Sequence, residues 1–99
     1  MAFVRIGQFK AVPENIEVLR SIYESEPIPV IRAARGNISA VLLQQSDAQD
    51  SFMAITVWSS AEDADRYDRS GQAAQMVGKI RFAFAGPPIL TTYEAFGVS

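Results

Sequence analysis

The stretch Ser51–Tyr67, SFMAITVWSSAEDADRY, joins a predicted strand to a predicted helix and contains the only tryptophan of the chain. Phe52 to Trp58 is rich in aromatic and β-branched side chains, with apolar residues at both alternating positions, which indicates a strand covered on both faces. Ser59 precedes Glu62 by three residues, the spacing of a capping box that begins a helix. Trp58 therefore ends a strand at the rim of the sheet, where it either closes the core or lines a pocket mouth.

The sequence on either side of this stretch predicts three more strands, Phe3–Lys10, Ile38–Gln45 and Leu90–Phe96. Helical spacing of apolar residues, with Pro13 in the first turn of one helix and the capping serine before another, predicts helices over Pro13–Ser25 and Ala61–Arg69, and one more through Ala73, Met76, Val77 and Ile80. Pro27 and Pro29 are predicted to interrupt the first helix, and a second short helix is predicted over Val30–Arg35. The short polar loop Ser46–Asp50 predicts an antiparallel hairpin. The order strand, helix, strand, strand, helix, strand is the split βαβ arrangement of ferredoxin-like α+β domains, so residues 1–99 are predicted to form one domain.

All four predicted strands carry apolar residues at both alternating positions. The helices of a ferredoxin-like domain cover only one face of its sheet, and a single chain offers nothing more for the other face. A second copy of the sheet is the natural cover, which predicts a homodimer with the two sheets packed face to face. Gly7, in the middle of the first strand, suits either a bulge, the close approach of another group, or simple packing.

Composition excludes several classes of function. The net charge is −2, and the nine basic residues, seven of them arginine, are scattered, so no basic stripe for nucleic acid is present. No apolar run is long enough for a membrane span or a signal peptide, which predicts a soluble cytoplasmic protein. With no histidine and no cysteine, imidazole bases, catalytic triads, thiolate metal sites and disulfides are excluded.

Neither a nucleotide cofactor nor a metal is expected. The six glycines lie far apart and form no phosphate-binding loop. The acidic residues of the Ala61–Arg69 helix are spread around an exposed surface, and at i, i+4 two of them are predicted to pair with arginines, as Glu62 with Arg66 and Asp65 with Arg69. Oxygen ligands alone would give at best a weak calcium or magnesium site there.

The segment TVWSSAEDADRY, followed by GQAAQMVGK, resembles the antibiotic biosynthesis monooxygenase family of dimeric α+β barrels over almost the whole chain. That family includes cofactor-independent monooxygenases that oxidise polyketide phenols to quinones, haem-degrading monooxygenases and enzymes that process signal molecules. In the haem-degrading branch a histidine ligates iron, and Gln75 stands at the matching place here. The asparagine that this branch uses in the first strand is replaced by Gly7 or Gln8, so the resemblance disfavours haem degradation.

In the quinone-forming branch a tryptophan, an asparagine, a tyrosine and an arginine surround the phenol. The resemblance implies that Trp58 stacks on or shields an aromatic substrate and that Tyr67 or Arg81 holds the developing negative charge. Gln8 or Gln75 would donate a hydrogen bond to the substrate oxygen. Met76 and Phe82 would form part of an apolar wall of the pocket.

Each of these residues also has a purely structural interpretation. Trp58 can serve as a core or dimer anchor, Tyr67 can pack its ring with a solvated hydroxyl, and Met76, Phe82 and Phe84 can belong to the core. Two functions therefore stay open: a cofactor-independent monooxygenase acting on a small aromatic or polyketide-like molecule, and a non-catalytic ligand-binding or stress-related protein. A defined cavity with polar groups inside would favour the first, and a pocket filled by the chain's own aromatic side chains would favour the second.

Overall fold

The structure is a computed structural model that describes residues 1–98. Its four strands are β1 (Ala2–Lys10), β2 (Asn37–Gln44), β3 (Ser51–Trp58) and β4 (Ile89–Ala95). Its helices are α1 (Ile16–Ser25), α2 (Pro27–Arg32), α3 (Ala61–Arg69) and α4 (Gln72–Ile80), with 3-10 turns at Pro13–Asn15 and Arg81–Ala83. The strands form one antiparallel sheet in the order β2-β3-β1-β4. The predicted ferredoxin-like α+β fold is confirmed, with the strand ends within one residue of their expected positions.

One face of the sheet carries the core. In the register of β1 and β3, Phe9 lies opposite Phe52 and Phe3 opposite Trp58, so alternation turns all four side chains toward the helices. The Phe9 and Phe52 rings stack 5.5 Å apart and, with Leu19, anchor one buried cluster. Trp58 anchors a second cluster under α2 and α3. The two large side chains at opposite ends of β3 therefore pack in two separate clusters against the helices.

Helix α1 begins at Ile16, after the 3-10 turn at Pro13–Asn15, and α2 ends at Arg32 where Arg35 was predicted. Helix α3 begins at Ala61 as predicted, but its cap differs. The N-cap of α3 is Ser60 rather than Ser59: the Ser60 hydroxyl accepts from the Asp63 amide at 3.2 Å, while the Ser59 amide donates to the Gly36 carbonyl at 2.8 Å and so still belongs to the sheet edge. Helix α2 begins at Pro27 instead of Val30. Its two prolines occupy the first turn, where a missing amide proton costs nothing, so they start the helix and do not merely separate two helices.

The start of α3 is fastened to the turn before β2. The Asp63 carboxylate accepts hydrogen bonds from the hydroxyls of Ser59 and Ser60 and from Arg66, the last at 2.5 Å. Gly36 has φ +83°, and a Cβ there would run into the Asp63 carboxyl group. The Ser59 hydrogen bond, and then that of Arg66, lower the pKa of Asp63.

Of the two predicted ion pairs on α3, one forms. Arg66 lies 3.5 Å from Glu62 and also pairs with Asp63. No ion pair joins Arg69 to Asp65 among residues 1–98. In the Glu62–Arg66 pair that forms, the arginine also contacts the Asp63 carboxylate.

The other face of the sheet is apolar and is not covered by any element within residues 1–98. The register brings Ile6, Ile55 and Val41 side by side across its middle. Toward its edges Leu43 and Tyr93 are 44% and 49% exposed. No helix among residues 1–98 is long and apolar enough to cross a membrane.

Candidate functional site

A cavity of about 470 Å³ lies between the helix-covered face of the sheet and the helices. Its floor comes from β1 and β3, one wall from α3 and α4, and its rim from the segment leading into β4. Most of its lining is apolar, and its polar groups are contributed by Arg5, Tyr23, Thr56, Trp58, Tyr67, Asp68, Arg81 and Thr91. An apolar cavity with a few convergent polar groups is the usual form of a small-molecule site.

Trp58 is both a core residue and a wall of this cavity. Its side chain is 1% exposed, and its ring lies 5.4 Å from that of Tyr67 at an angle of 32°. The indole Nε1 donates to Thr56 Oγ1 at 2.9 Å, so its hydrogen bond is already made inside the protein. The N–H group is therefore not available to a ligand.

Tyr67 places an unpartnered hydroxyl in the buried part of the site. The residue is 8% exposed, and its hydroxyl oxygen has no hydrogen-bond partner within residues 1–98. Leaving a buried polar group unpaired costs about 1–3 kcal/mol, so a ligand that brings an acceptor would recover that free energy. Burial, and then the nearby Asp68 charge, raise the pKa of Tyr67.

Tyr23 reaches the same cavity from α1. Burial, and then the interaction with Tyr67, raise its pKa to about 12. Both phenols are thus protonated at neutral pH. They can donate hydrogen bonds to a ligand, and neither is available as a base.

Arg5 is the charged group that sequence reasoning missed. It sits on β1 opposite Thr56, lines the cavity, and forms an ion pair with Asp68 of α3. The sequence pattern could have identified it, because Arg5 belongs to the same alternating set as Phe3 and Phe9 and so points toward the helices. With Arg81 at the end of α4, two guanidinium groups border the cavity.

Gly7 forms part of the cavity floor between Arg5 and Phe9. A Cβ at this position would lie 3.2 Å from Leu90 Cδ2. The pairing of β1 with both neighbours is continuous through Gly7, which excludes the bulge. The close approach of another group, here the Leu90 side chain, is the interpretation that the structure bears out.

Of the seven site residues taken from the sequence, the structure brings Trp58, Tyr67 and Arg81 together around the cavity. The other four do not line it. Gln8 lies one residue out of phase with Gly7 and Phe9, opposite Met53 and Ile89, and so faces the uncovered side of the sheet.

Helix geometry explains why the C-terminal candidates lie outside the cavity. The stripe of α4 that faces the cavity runs through Ala73, Val77 and Ile80. Gln75 is exposed, and Met76 is buried without lining the cavity. Phe82 lies in the 3-10 turn after α4 and is 53% exposed, so it does not fill the pocket.

Within residues 1–98, no group of three or more carboxylates comes close enough to hold a metal ion. The acidic residues of α3 are divided between solvent, the Asp63 hydrogen bonds and the Arg5–Asp68 pair. The chemistry of the described site is therefore that of guanidinium groups, phenols and an indole ring.

The four-stranded antiparallel sheet with helices on one face places the chain in the ferredoxin-like α+β class of proteins. The family model for antibiotic biosynthesis monooxygenases matches residues 2–79. The chain belongs to the antibiotic biosynthesis monooxygenase family, as the resemblance in its sequence predicted. A search of curated proteins found no significant match.

Solved structures show the same fold at low sequence identity. A protein of Nitrosomonas europaea described as an antibiotic biosynthesis monooxygenase superposes with a TM-score of 0.88 at 14% identity, over 97% of this chain and 91% of its own. Rv0793 of Mycobacterium tuberculosis gives 0.83 at 17% identity, over 100% and 99%. A variant of SnoaB, a cofactor-independent oxygenase from Streptomyces nogalater, gives 0.78 at 15% identity, over 98% and 95%. At these identities the likeness extends to the fold alone.

Proposed function

We propose that the protein is a cofactor-independent monooxygenase that oxidises a small aromatic or polyketide-like molecule in the cavity above β1 and β3. The observation that carries this proposal is the unpartnered Tyr67 hydroxyl, buried beside Trp58 in a cavity of about 470 Å³ that Arg5 and Arg81 border. Membership of the family and the fold of SnoaB, a cofactor-independent oxygenase, add support.

The proposed reaction needs few catalytic groups from the protein. At an anthrone-type methylene, loss of a proton to solvent, before the molecule is enclosed, gives an electron-rich anion that reacts with dioxygen. One oxygen atom becomes the new carbonyl, and the other leaves as water with the two hydrogens that the carbon loses. The protein has to stabilise the anion and exclude water from it. Arg5 and Arg81 supply positive charge, and Tyr67 supplies a buried donor.

The site also needs a flat apolar surface that orients the ring system. The almost fully buried Trp58 ring supports the inner wall of the cavity behind Tyr67, and its N–H is already bonded to Thr56. Ala54 and Gly7 keep the floor low enough for a planar molecule to lie against β1 and β3. Holding the reacting carbon in one orientation contributes to the rate by removing translational and rotational freedom before the chemical step.

We also propose that the working form is a homodimer with the uncovered faces of two sheets packed together. The support is the apolar row Ile6, Ile55 and Val41, with Leu43 and Tyr93 beside it. Light scattering at micromolar protein concentration should give twice the chain mass. A monomer would leave this apolar face without a cover and would contradict the dimer.

The activity is tested by oxygen uptake with purified protein and no added metal, flavin or haem, against anthrones, naphthols and other electron-rich phenols. Uptake should occur with at least one of them, and Trp58→Phe, Arg81→Gln or Arg5→Gln should reduce it. Arg20→Gln is the matched control, because Arg20 is exposed on α1 and lies outside the cavity.

Two results would contradict the proposal in different ways. Tight binding of an aromatic compound without uptake would assign the cavity to a non-catalytic ligand-binding protein. Uptake that is unchanged in all three cavity variants would place the reaction outside this site.

A further inference from the structure

We infer that the cavity selects aromatic ligands that enter already carrying an ionised acidic oxygen, which Arg5 binds while the Tyr67 hydroxyl donates to a second oxygen. The inference rests on the site of the proposed function, but it concerns the charge of the bound ligand and not its oxidation. Nothing in the family resemblance assigns a role to Arg5.

Most of the N–H donors of the Arg5 guanidinium have no acceptor among residues 1–98. Its Nη1 donates to Asp68 Oδ2, and this is its one side-chain hydrogen bond among residues 1–98. A guanidinium has five N–H donors, so the others remain for a ligand. The Asp68 pair fixes the planar group over the cavity floor, where its donors can engage an oxyanion in the strong charge-assisted geometry.

The charges that face Arg5 favour an anion. Asp68 on α3 is already paired with it, and Arg81 at the end of α4 adds a second positive charge at the cavity. From β4 the residue opposite Arg5 is the uncharged Thr92. Glu94, the only charged residue of that strand, lies on the same side of the sheet opposite Phe3 and does not line the cavity. From α1 and α3 the facing groups are the Tyr23 and Tyr67 phenols. A ligand with one negative charge would leave the cavity near neutrality.

The described site lacks a free base that would ionise a neutral ligand. The two phenols are kept protonated by burial, and the chain has no histidine. The remaining cavity carboxylate, Asp68, is committed to Arg5. Ligands whose own acidity suffices, such as vinylogous acids, hydroxyquinones or aromatic carboxylic acids, therefore suit the site better than simple phenols.

The Tyr67 hydroxyl would bind the second oxygen of the ligand. It is buried and has no hydrogen-bond partner within residues 1–98, and a carbonyl or second carboxylate oxygen would accept a hydrogen bond from it. The ligand class is thus a planar aromatic with two oxygens, one ionised for Arg5 and one accepting from Tyr67. A site built this way discriminates strongly, because a ligand that lacks either oxygen leaves a polar group unpaired.

The test is a calorimetric titration with matched probes. 2-Hydroxy-1,4-naphthoquinone, a vinylogous acid, is ionised at neutral pH, and its O-methyl ether has the same ring system without the charge. Wild-type protein should bind the ionised probe at least about tenfold more tightly, the value of one charge-assisted hydrogen bond. Naphthoate, an aromatic carboxylate, is the third probe and reports whether the oxyanion comes from a carboxylic acid or an acidic hydroxyl.

Variants of Arg5 and Tyr67 test which side chain causes the preference for the ionised probe. Arg5→Gln should lower affinity for the ionised probe about tenfold or more and leave the ether unchanged, whereas Arg20→Gln should change neither. Arg5→Lys keeps the charge and should keep part of the preference, which gives a usable result if Arg5→Gln folds poorly. Tyr67→Phe should weaken both naphthoquinones, since both retain a carbonyl oxygen.

Lowering the pH through the probe's own ionisation should weaken binding of hydroxynaphthoquinone and leave the ether unaffected. Equal binding of the two naphthoquinones, an ionised-probe affinity untouched by Arg5→Gln, or binding of none of the three probes would overturn the inference. Charge-selective binding without oxygen uptake by any substrate would leave it standing while the proposed activity fails. Oxygen uptake that Trp58→Phe or Arg81→Gln reduces, together with equal binding of the two naphthoquinones, would leave the proposed activity standing while the inference fails.

Discussion

The two faces of the sheet are equally apolar in sequence and differ in what covers them. On the helix-covered face, Trp58 and Phe52 are almost fully buried by α1 to α4, and the space left between sheet and helices is the cavity. On the other face Ile55 and Val41 lie in an open row. The first face carries the proposed chemistry and the second carries the proposed contact with another copy.

The difference has a simple cause. Helices pack on a sheet at discrete positions and leave gaps where small residues such as Gly7 and Ala54 line the floor, so the covered face acquires a cavity. A flat strand surface packs best against another sheet, so the uncovered face favours a close-packed interface with no cavity. The same strands therefore serve two roles, divided by the alternation of their side chains.

The largest effect is expected from a charge on the uncovered face. Ile55→Glu should convert the dimer to a monomer at micromolar concentration and lower the free energy of unfolding by about 3–5 kcal/mol, because an unpaired charge would be buried in the interface. Sedimentation and urea denaturation measure the two effects. Ser21→Glu, on the exposed side of α1, is the control, and a variant Ile55→Glu that stays dimeric would remove this face from the interface.

On the covered face a loss of stability without a change of oligomeric state is expected. Trp58→Ala should lower the free energy of unfolding by about 3–5 kcal/mol and leave the oligomeric state unchanged, because the residue faces away from the proposed interface. Trp58→Phe should cost less and keep the cavity wall. Denaturant melts and ligand calorimetry separate the two roles, and a Trp58→Ala protein of wild-type stability would show that the residue serves only the pocket.

The attachment of α3 to the sheet can be tested with two glycines. Gly36 and Gly71 have φ of +83° and +86°, but only at Gly36 would a Cβ meet another group, the Asp63 carboxyl. Gly71→Ala should cost about 1–2 kcal/mol for its backbone, and Gly36→Ala should cost about 1–3 kcal/mol more for the collision. Equal losses in urea denaturation would mean that α3 tolerates a shift at its start.

Removing the Tyr67 hydroxyl should have a small and opposite effect. Tyr67→Phe deletes an unpartnered buried group, so the free energy of unfolding should stay level or rise by about 1 kcal/mol. Tyr23→Phe is the matched comparison on α1. A loss of stability of more than about 1 kcal/mol in Tyr67→Phe would show that the hydroxyl is hydrogen-bonded in the folded protein.

The smallest effect is expected in acid. The folded-state pKa of Asp63 is lowered below 3.8 by its hydrogen bonds, so its contribution to stability is present above 3.8 and is lost as the pH falls through the lower folded value. Asp63→Asn should flatten this part of the stability profile, measured by denaturation from about pH 5 to about pH 2. Asp65→Asn, on the same helix, controls for the loss of one charge, and identical profiles for the two variants would contradict the role of Asp63.

Part of the candidate site was predicted from the sequence. Trp58 was predicted at a strand end from its local pattern, Tyr67 was implied by the family resemblance, and both line the cavity. Gln8, implied by the resemblance, faces the other side of the sheet, because neighbouring residues of a strand point in opposite directions and a motif match does not specify the phase. The position of Gln75 on the exposed side of α4 depends on how that helix is rotated on its neighbours, which its own sequence leaves open.

The sequence by itself determined the order of elements, the two apolar phases of each strand and the absence of imidazole and thiol chemistry, because these follow from side-chain type and short-range spacing. Tertiary structure alone decided that Arg5 meets Asp68, 63 residues away along the chain, and that the Tyr67 hydroxyl is buried without an acceptor. Both depend on how α3 docks across β1. That docking is the summed result of many long-range contacts, which local periodicity does not encode.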